Sequence, residues 1–157
     1  MKKIVAMIGS VLAVMGLMTS CSLGGSATYK DGTYRAEAKE FDDHGWKDYV
    51  NVTVKDGKIA AVEYDAMSQE DGRKKTEDEA YKEAYIGAGY ETYPADYTEK
   101  LEKGLIEKQE GSKVDTVAGA TSSSHSFKKL IKELEKSMKS GKTETLSVDT
   151  AMAEESK

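Results

Sequence analysis

Tyr49-Val50-Asn51-Val52-Thr53-Val54-Lys55-Asp56-Gly57-Lys58-Ile59-Ala60-Ala61-Val62-Glu63-Tyr64 is the stretch that decides the fold of this chain. Val50, Val52 and Val54 fall on one face of an extended segment, because successive side chains of a strand point to opposite sides. Asp56-Gly57 supplies the left-handed backbone that a two-residue hairpin turn demands, and the apolar run resumes at Ile59. The pattern predicts an antiparallel hairpin with strands over 49–54 and 59–64.

Upstream, Asp31-Gly32 opens a second alternating segment over 33–38, where Tyr34, Ala36 and Ala38 share a face. Downstream, the composition shifts to helix formers after Asp71-Gly72. Thr76-Glu77-Asp78-Glu79 places acids at the positive end of a helix expected over 77–85. Tyr93-Pro94 forces extended backbone before a helix over 95–108, in which Tyr97, Leu101, Leu105 and Ile106 recur at helical spacing. A last helix starts near Ser124 or His125 and carries Phe127, Leu130, Ile131, Leu134 and Met138 on one stripe. Strands followed by helices indicate α+β architecture: a small single domain with an antiparallel hairpin or sheet packed against helices.

The ends of the chain read differently. Lys2 and Lys3 precede an apolar run over 4–18, the form of an export signal, so residues 1–20 stand outside the fold. Cys21 is the single cysteine, which excludes an intrachain disulfide. Met18-Thr19-Ser20-Cys21 resembles a bacterial lipobox, which implies lipidation of Cys21, a tether over 21–28 and a protein on the extracytoplasmic face of the cell membrane. The domain is expected over 29–140. The tail over 141–157 is polar and lacks a sustained apolar period, the composition of a disordered segment.

A net charge of −5, with 23 basic residues interleaved among 28 acidic ones, excludes a nucleic-acid binder. His44 and His125 are far apart and have no Cys/His cluster beside them, so no metal site is expected. Neither a catalytic triad nor a paired-carboxylate constellation emerges from the spacing, and no catalytic residue is assigned.

Asp115-Thr116-Val117-Ala118-Gly119-Ala120-Thr121-Ser122-Ser123-Ser124 carries the chemistry. Small residues permit close backbone approach, and a helix N-terminus offers unpaired amides and partial positive charge to a phosphate. The same residues also suit a plain helix cap after a tight turn. No Walker loop and no strand-linked G-x-G-x-x-G is present, so a phosphate site falls on this segment.

Four stretches resemble, in order, the small FMN-binding domain found in the C subunit of sodium-pumping NADH:quinone oxidoreductase and the G subunit of the Rnf complex. They are Asp31-Gly32-Thr33-Tyr34; Gly45-Trp46-Lys47-Asp48-Tyr49 running into the hairpin; Lys74-Lys75-Thr76-Glu77-Asp78 with Tyr81; and Val114-Asp115 through Gly119-Ala120-Thr121. The nearest likeness is to lipoprotein members from Gram-positive bacteria. In that family FMN is joined by a phosphoester to a hydroxyl of a motif like Asp-x-x-(Ser/Thr)-Gly-Ala-Thr, installed by a flavin transferase.

The resemblance makes Thr121 the attachment residue, with Ser123 as the alternative acceptor. Ala118 stands where Ser or Thr is usual. Gly119 and Ala120 would let the cofactor approach, and amides around Ser122 to Ser124 would neutralise its phosphate. Trp46 either stacks near the flavin ring or anchors the core. Lys75 and Asp78 either line the flavin pocket or form a solvated helix start. Asp115 shapes the attachment loop, assists metal-dependent transfer, or is a plain turn residue. The implied function is a membrane-tethered electron carrier between unidentified redox partners. Two other readings stay open: a flavin-dependent reductase of a small acceptor, and a flavin-free surface binding lipoprotein.

Overall fold

The computed structural model describes residues 29–151; Cys21, the export signal, the tether and the last residues of the tail lie outside them. Three strands follow in antiparallel sequence: β1 (Gly32–Ala38), β2 (Trp46–Lys55) and β3 (Lys58–Ser68). After a 3-10 turn at Lys75–Glu77 come α1 (Glu79–Gly87), α2 (Pro94–Lys108) and α3 (Thr121–Ser140). A short β4 (Leu146–Val148) closes the order. The sheet runs β3-β2-β1-β4, with β4 parallel to β1.

The hairpin forms as its sequence predicts. Asp56 and Gly57 both take positive φ, 54° and 75°, in the two-residue turn joining β2 to β3. An irregularity beside the turn pairs Thr53 with Ala61 but Val54 with Ile59. The extra residue switches parity, so Ile59 points inward with Val50, Val52, Val54 and Tyr64, while Ala60 and Ala61 stay exposed.

Helices α2 and α3 cover that inner face. Phe127, Leu130, Ile131, Leu134 and Met138 of α3 are fully buried, against Tyr34, Ala36 and the β2 valines of the same cluster. Tyr97, Leu101 and Leu105 of α2 complete the core. Pro94 occupies the first turn of α2 after extended Tyr93, where its fixed φ suits a helix start and its missing N–H is harmless. The outer face of the sheet is polar: Asn51 donates to Glu63 at 2.8 Å, and the Arg35 guanidinium lies 4.5 Å from the centroid of the Tyr49 ring.

Two expectations shift. Helix α3 begins at Thr121, ahead of Ser124, because Ser124 N–H already bonds the Ala120 carbonyl at 2.9 Å and closes the first turn. The tail over 141–157 is not wholly disordered. Leu146 pairs with Ala36 and Val148 with Ala38, and Val148 is buried against the fold. Three residues are too few to display a period, and the backbone bonds that order them come from the open edge of β1, a hundred residues away in sequence.

Candidate functional site

The polar end of the sheet, the 3-10 turn and the start of α3 surround a cavity of about 480 Å³. That size lies within the usual range for small-molecule and cofactor sites. One wall is the segment before and within the first turn of α3, contributed by Gly119, Ala120, Thr121, Ser122 and Ser123. Gly119 takes φ +79°, and a Cβ there would lie 3.1 Å from Thr92 Cγ2, so this tight approach of the loop to Thr92 and Tyr90 requires glycine.

Ala120 is the N-cap residue of α3, and no side chain caps the helix. The amides of its first turn are therefore left facing outward at the positive end of a 20-residue helix. Ser124 does not cap in the ordinary sense. Its hydroxyl accepts from Val117 N–H at 3.0 Å and donates to the Ala120 carbonyl at 2.8 Å, which folds the preceding turn back on the helix.

The cavity also has an aromatic lining. Tyr81 and Tyr85 of α1 have ring centroids 5.5 Å apart, and Tyr90 follows 5.3 Å from Tyr85. All three line the cavity. Burial pushes the Tyr81 hydroxyl up to about 12, with Tyr85 adding to it, so it stays protonated as a donor. Asp78 caps α1 by accepting from Tyr81 N–H at 3.0 Å, and its other oxygen meets Arg73 at 3.2 Å.

Charge enters from the sheet and the 3-10 turn. Asp48 falls in the same alternating series as Trp46, Val50 and Val52, which directs a carboxylate toward the cavity instead of solvent. Burial pushes that carboxyl above its ordinary range, against the pull of nearby Ser126, Lys75 and Tyr64. Lys75 is 6% exposed and lines the same space. Its backbone is held because the next residue, Thr76, donates its hydroxyl to Asp65 at 2.6 Å and its N–H to the same carboxylate at 3.2 Å. Asp42 and His44 sit at the rim, where Asp42 accepts from the His44 and Trp46 amides at 2.9 and 2.8 Å.

Of the residues singled out from sequence, Gly119, Ala120, Thr121, Ser122, Ser123 and Lys75 come together around this cavity. Three do not line it. Trp46 is buried behind it, its ring 5.4 Å from that of Tyr81 in an edge-to-face contact. Asp78 is occupied with the helix cap and Arg73. The side chain of Asp115 is 91% exposed and reaches only Lys108 at 3.9 Å. Ala118 is exposed and also outside the lining. Asp48 and the three tyrosines were not singled out as site residues. A carboxylate on the inward face of β2 was a readable signal; the tyrosine wall was not, because it is assembled by the fold of α1 and the loop after it.

The chain is 37% identical over 136 residues to the 15 kDa lipoprotein of Treponema pallidum (strain Nichols), an alignment covering 86% of this chain and 92% of that one. Its fold matches the crystal structure of the CPE2226 protein from Clostridium perfringens with a TM-score of 0.72 and 43% identity, over 77% of this chain and 98% of that chain. The family model for the FMN-binding domain matches residues 45–136, a span that holds the whole cavity except Asp42 and His44. The chain belongs to the FMN-binding domain family.

Proposed function

We propose that this protein is a lipid-tethered, extracytoplasmic electron carrier whose FMN is joined through its phosphate to Thr121. The observation that carries the reading is the cavity itself, which brings hydroxyls and uncapped amides together with three tyrosines in one lining. The residues fit the cofactor in both parts. The start of α3 is suited to a phosphate dianion, and tyrosine faces are suited to a flat ring system.

Thr121 is exposed at the first position of α3, open to a flavin transferase, whereas Ser123 is half-buried with its carbonyl engaged by Tyr64. Thr121 is therefore favoured over Ser123. The missing hydroxyl at Ala118 removes no contact from the cavity, since that residue lies outside the lining. When bound, FMN supplies the redox chemistry. The chain's own part is to hold the phosphate at the helix start, cover the ring with Tyr81, Tyr85 and Tyr90, and set the local charge through Lys75 and Asp48.

The likeness to a lipoprotein supports anchoring at Cys21, and among the described residues no helix is long and apolar enough to cross a membrane. Lys30 N–H bonds the Met138 carbonyl at 2.8 Å, so the chain enters the domain at the C-terminal end of α3. The cavity lies at the N-terminal end of the same helix. A 20-residue helix spans about 30 Å, a separation that supports a flavin site held away from the point where the chain enters the domain.

Intact-mass measurement of the protein co-expressed with a flavin transferase tests the reading. An added mass of FMN on the wild type, absent from Thr121→Val and retained in Ser123→Ala, is the expected result. An unmodified wild-type chain overturns covalent attachment, and a chain that also binds no free FMN overturns the flavin function.

A further inference from the structure

Lys75 is a buried cation with no bonded anion among the described residues. It is 6% exposed, yet among the described residues no carboxylate lies within ion-pair distance of its Nζ. Its neighbour Lys74 shows the contrast, with Nζ 2.7 Å from Glu63 on the outer face. Lys75 instead stands 4.7 Å from the centroid of the Tyr81 ring and 5.4 Å from that of Trp46. Aromatic faces attract a cation but accept no strong hydrogen bond, so its N–H donors remain available to the cavity it lines. An ammonium removed from water without a hydrogen-bonded acceptor is expensive to hold. Thr76 and Asp65 nevertheless fix its backbone in place.

Resting on the FMN reading above, we propose that Lys75 sets the reduction potential of the flavin by meeting the polar edge of its ring. Thr121, Ser122 and Ser123 would take the phosphate, whereas Lys75 lies against a ring of the aromatic lining, 4.7 Å from the centroid of Tyr81. Reduction places charge on that ring. Two electrons from a reductant, dithionite in the experiment below and itself oxidised to sulfite, enter the oxidised flavin together with one proton taken up at N5. One negative charge remains, shared by N1 and the C2 carbonyl oxygen. A cation donating to that edge binds the reduced ring more tightly than the neutral oxidised one, which raises the potential. Burial pulls the Lys75 ammonium below its ordinary range, and Asp48, then Asp42 and Asp65, oppose that fall by favouring the charged form.

The test is a spectroelectrochemical titration of covalently flavinylated wild type, Lys75→Met and Lys75→Arg, with dithionite as reductant and intact mass recorded for each. The expected result is full flavin content in all three. Lys75→Met should show at least a tenfold loss of preference for the reduced form, a fall of about 30 mV for a two-electron couple, largely restored in Lys75→Arg. If Lys75→Met does not fold, Lys75→Gln carries the same expectation. A flavin-bearing neutral variant with the wild-type potential overturns this proposal alone, as does an Arg variant that shifts as far as the Met variant. A wild type that binds no flavin overturns the functional reading beneath it.

Discussion

The Tyr64 hydroxyl donates to the main-chain carbonyl of Ser123 at 2.9 Å, joining the sheet to the first turn of α3 across 59 residues of sequence. Its ring also meets Phe127 edge-to-face, with centroids 5.0 Å apart. The hydroxyl-rich wall of the cavity is thus held by a side chain of β3, and its position does not depend on the loop alone.

Tyr64→Phe keeps the ring and removes the tie. A net loss of about 1 kcal/mol is expected, the ordinary contribution of one intramolecular hydrogen bond. Urea denaturation measures it. Because the first turn of α3 is then less firmly placed, the proposed covalent loading of flavin should also slow, read as the modified fraction against time on co-expression with a transferase.

Gly119→Ala introduces a Cβ 3.1 Å from Thr92 Cγ2 on a residue with φ +79°. The left-handed conformation alone costs an alanine about 1–2 kcal/mol, and the contact adds to that. A lowered melting temperature together with poor flavin loading is expected. Equal stability and loading in the variant would show that the loop relaxes freely.

The outer face of the sheet sets an acid limb to stability. The hydrogen bond from Lys74, then that from Asn51, holds the Glu63 carboxyl below its ordinary value of 4.5. A carboxylate whose pKa is lowered by folding stabilises the protein above its unfolded value, and that contribution is lost as pH falls through the folded one. The melting temperature of the wild type should therefore drop on acidification below about 4.5. Glu63→Gln should show a shallower drop over the same window, since it has no proton to bind.

Truncation after residue 142 separates an ordered tail from a disordered one. Val148 is 8% exposed and β4 pairs with the edge of β1, so removal should destabilise the domain by about 2 kcal/mol, the scale of burying one valine side chain. Chemical denaturation reads the difference. A tail with no structural part would leave the midpoint unchanged.

Phe127→Ala tests the core beneath the site. Phe127 is fully buried in the core and packs on Tyr64 of β3, and truncation of such a residue costs about 3–5 kcal/mol. The variant should lose cooperative unfolding near physiological temperature.

Local pattern was enough for the sheet and for the faces of the helices. Val50, Val52 and Val54 had to lie together because strand geometry has period two, and Asp56-Gly57 could turn because both residues tolerate positive φ. Phe127, Leu130, Ile131, Leu134 and Met138 had to share a stripe because a helix repeats every 3.6 residues. The hydroxyl-rich segment leading into α3 was also legible, since its small residues and hydroxyls are consecutive. These features are encoded within one or two turns of chain, where stereochemistry acts directly.

The rest required long-range contact. The order of β4 depends on the unpaired edge of β1, which no window around Leu146 contains. Trp46, prominent in sequence, became a support behind Tyr81, while Tyr81 and Tyr85 of α1 and Tyr90 of the loop after it came to line the cavity beside the start of α3. Lys74 and Lys75 are neighbours of one residue type, yet one bonds Glu63 on the solvated face and the other is buried beside Asp48. Sequence determined that the chain has an α+β core and a hydroxyl-bearing helix start. Only tertiary structure decided which charges were removed from water around that start, because desolvation depends on what packs against a residue and not on what precedes it.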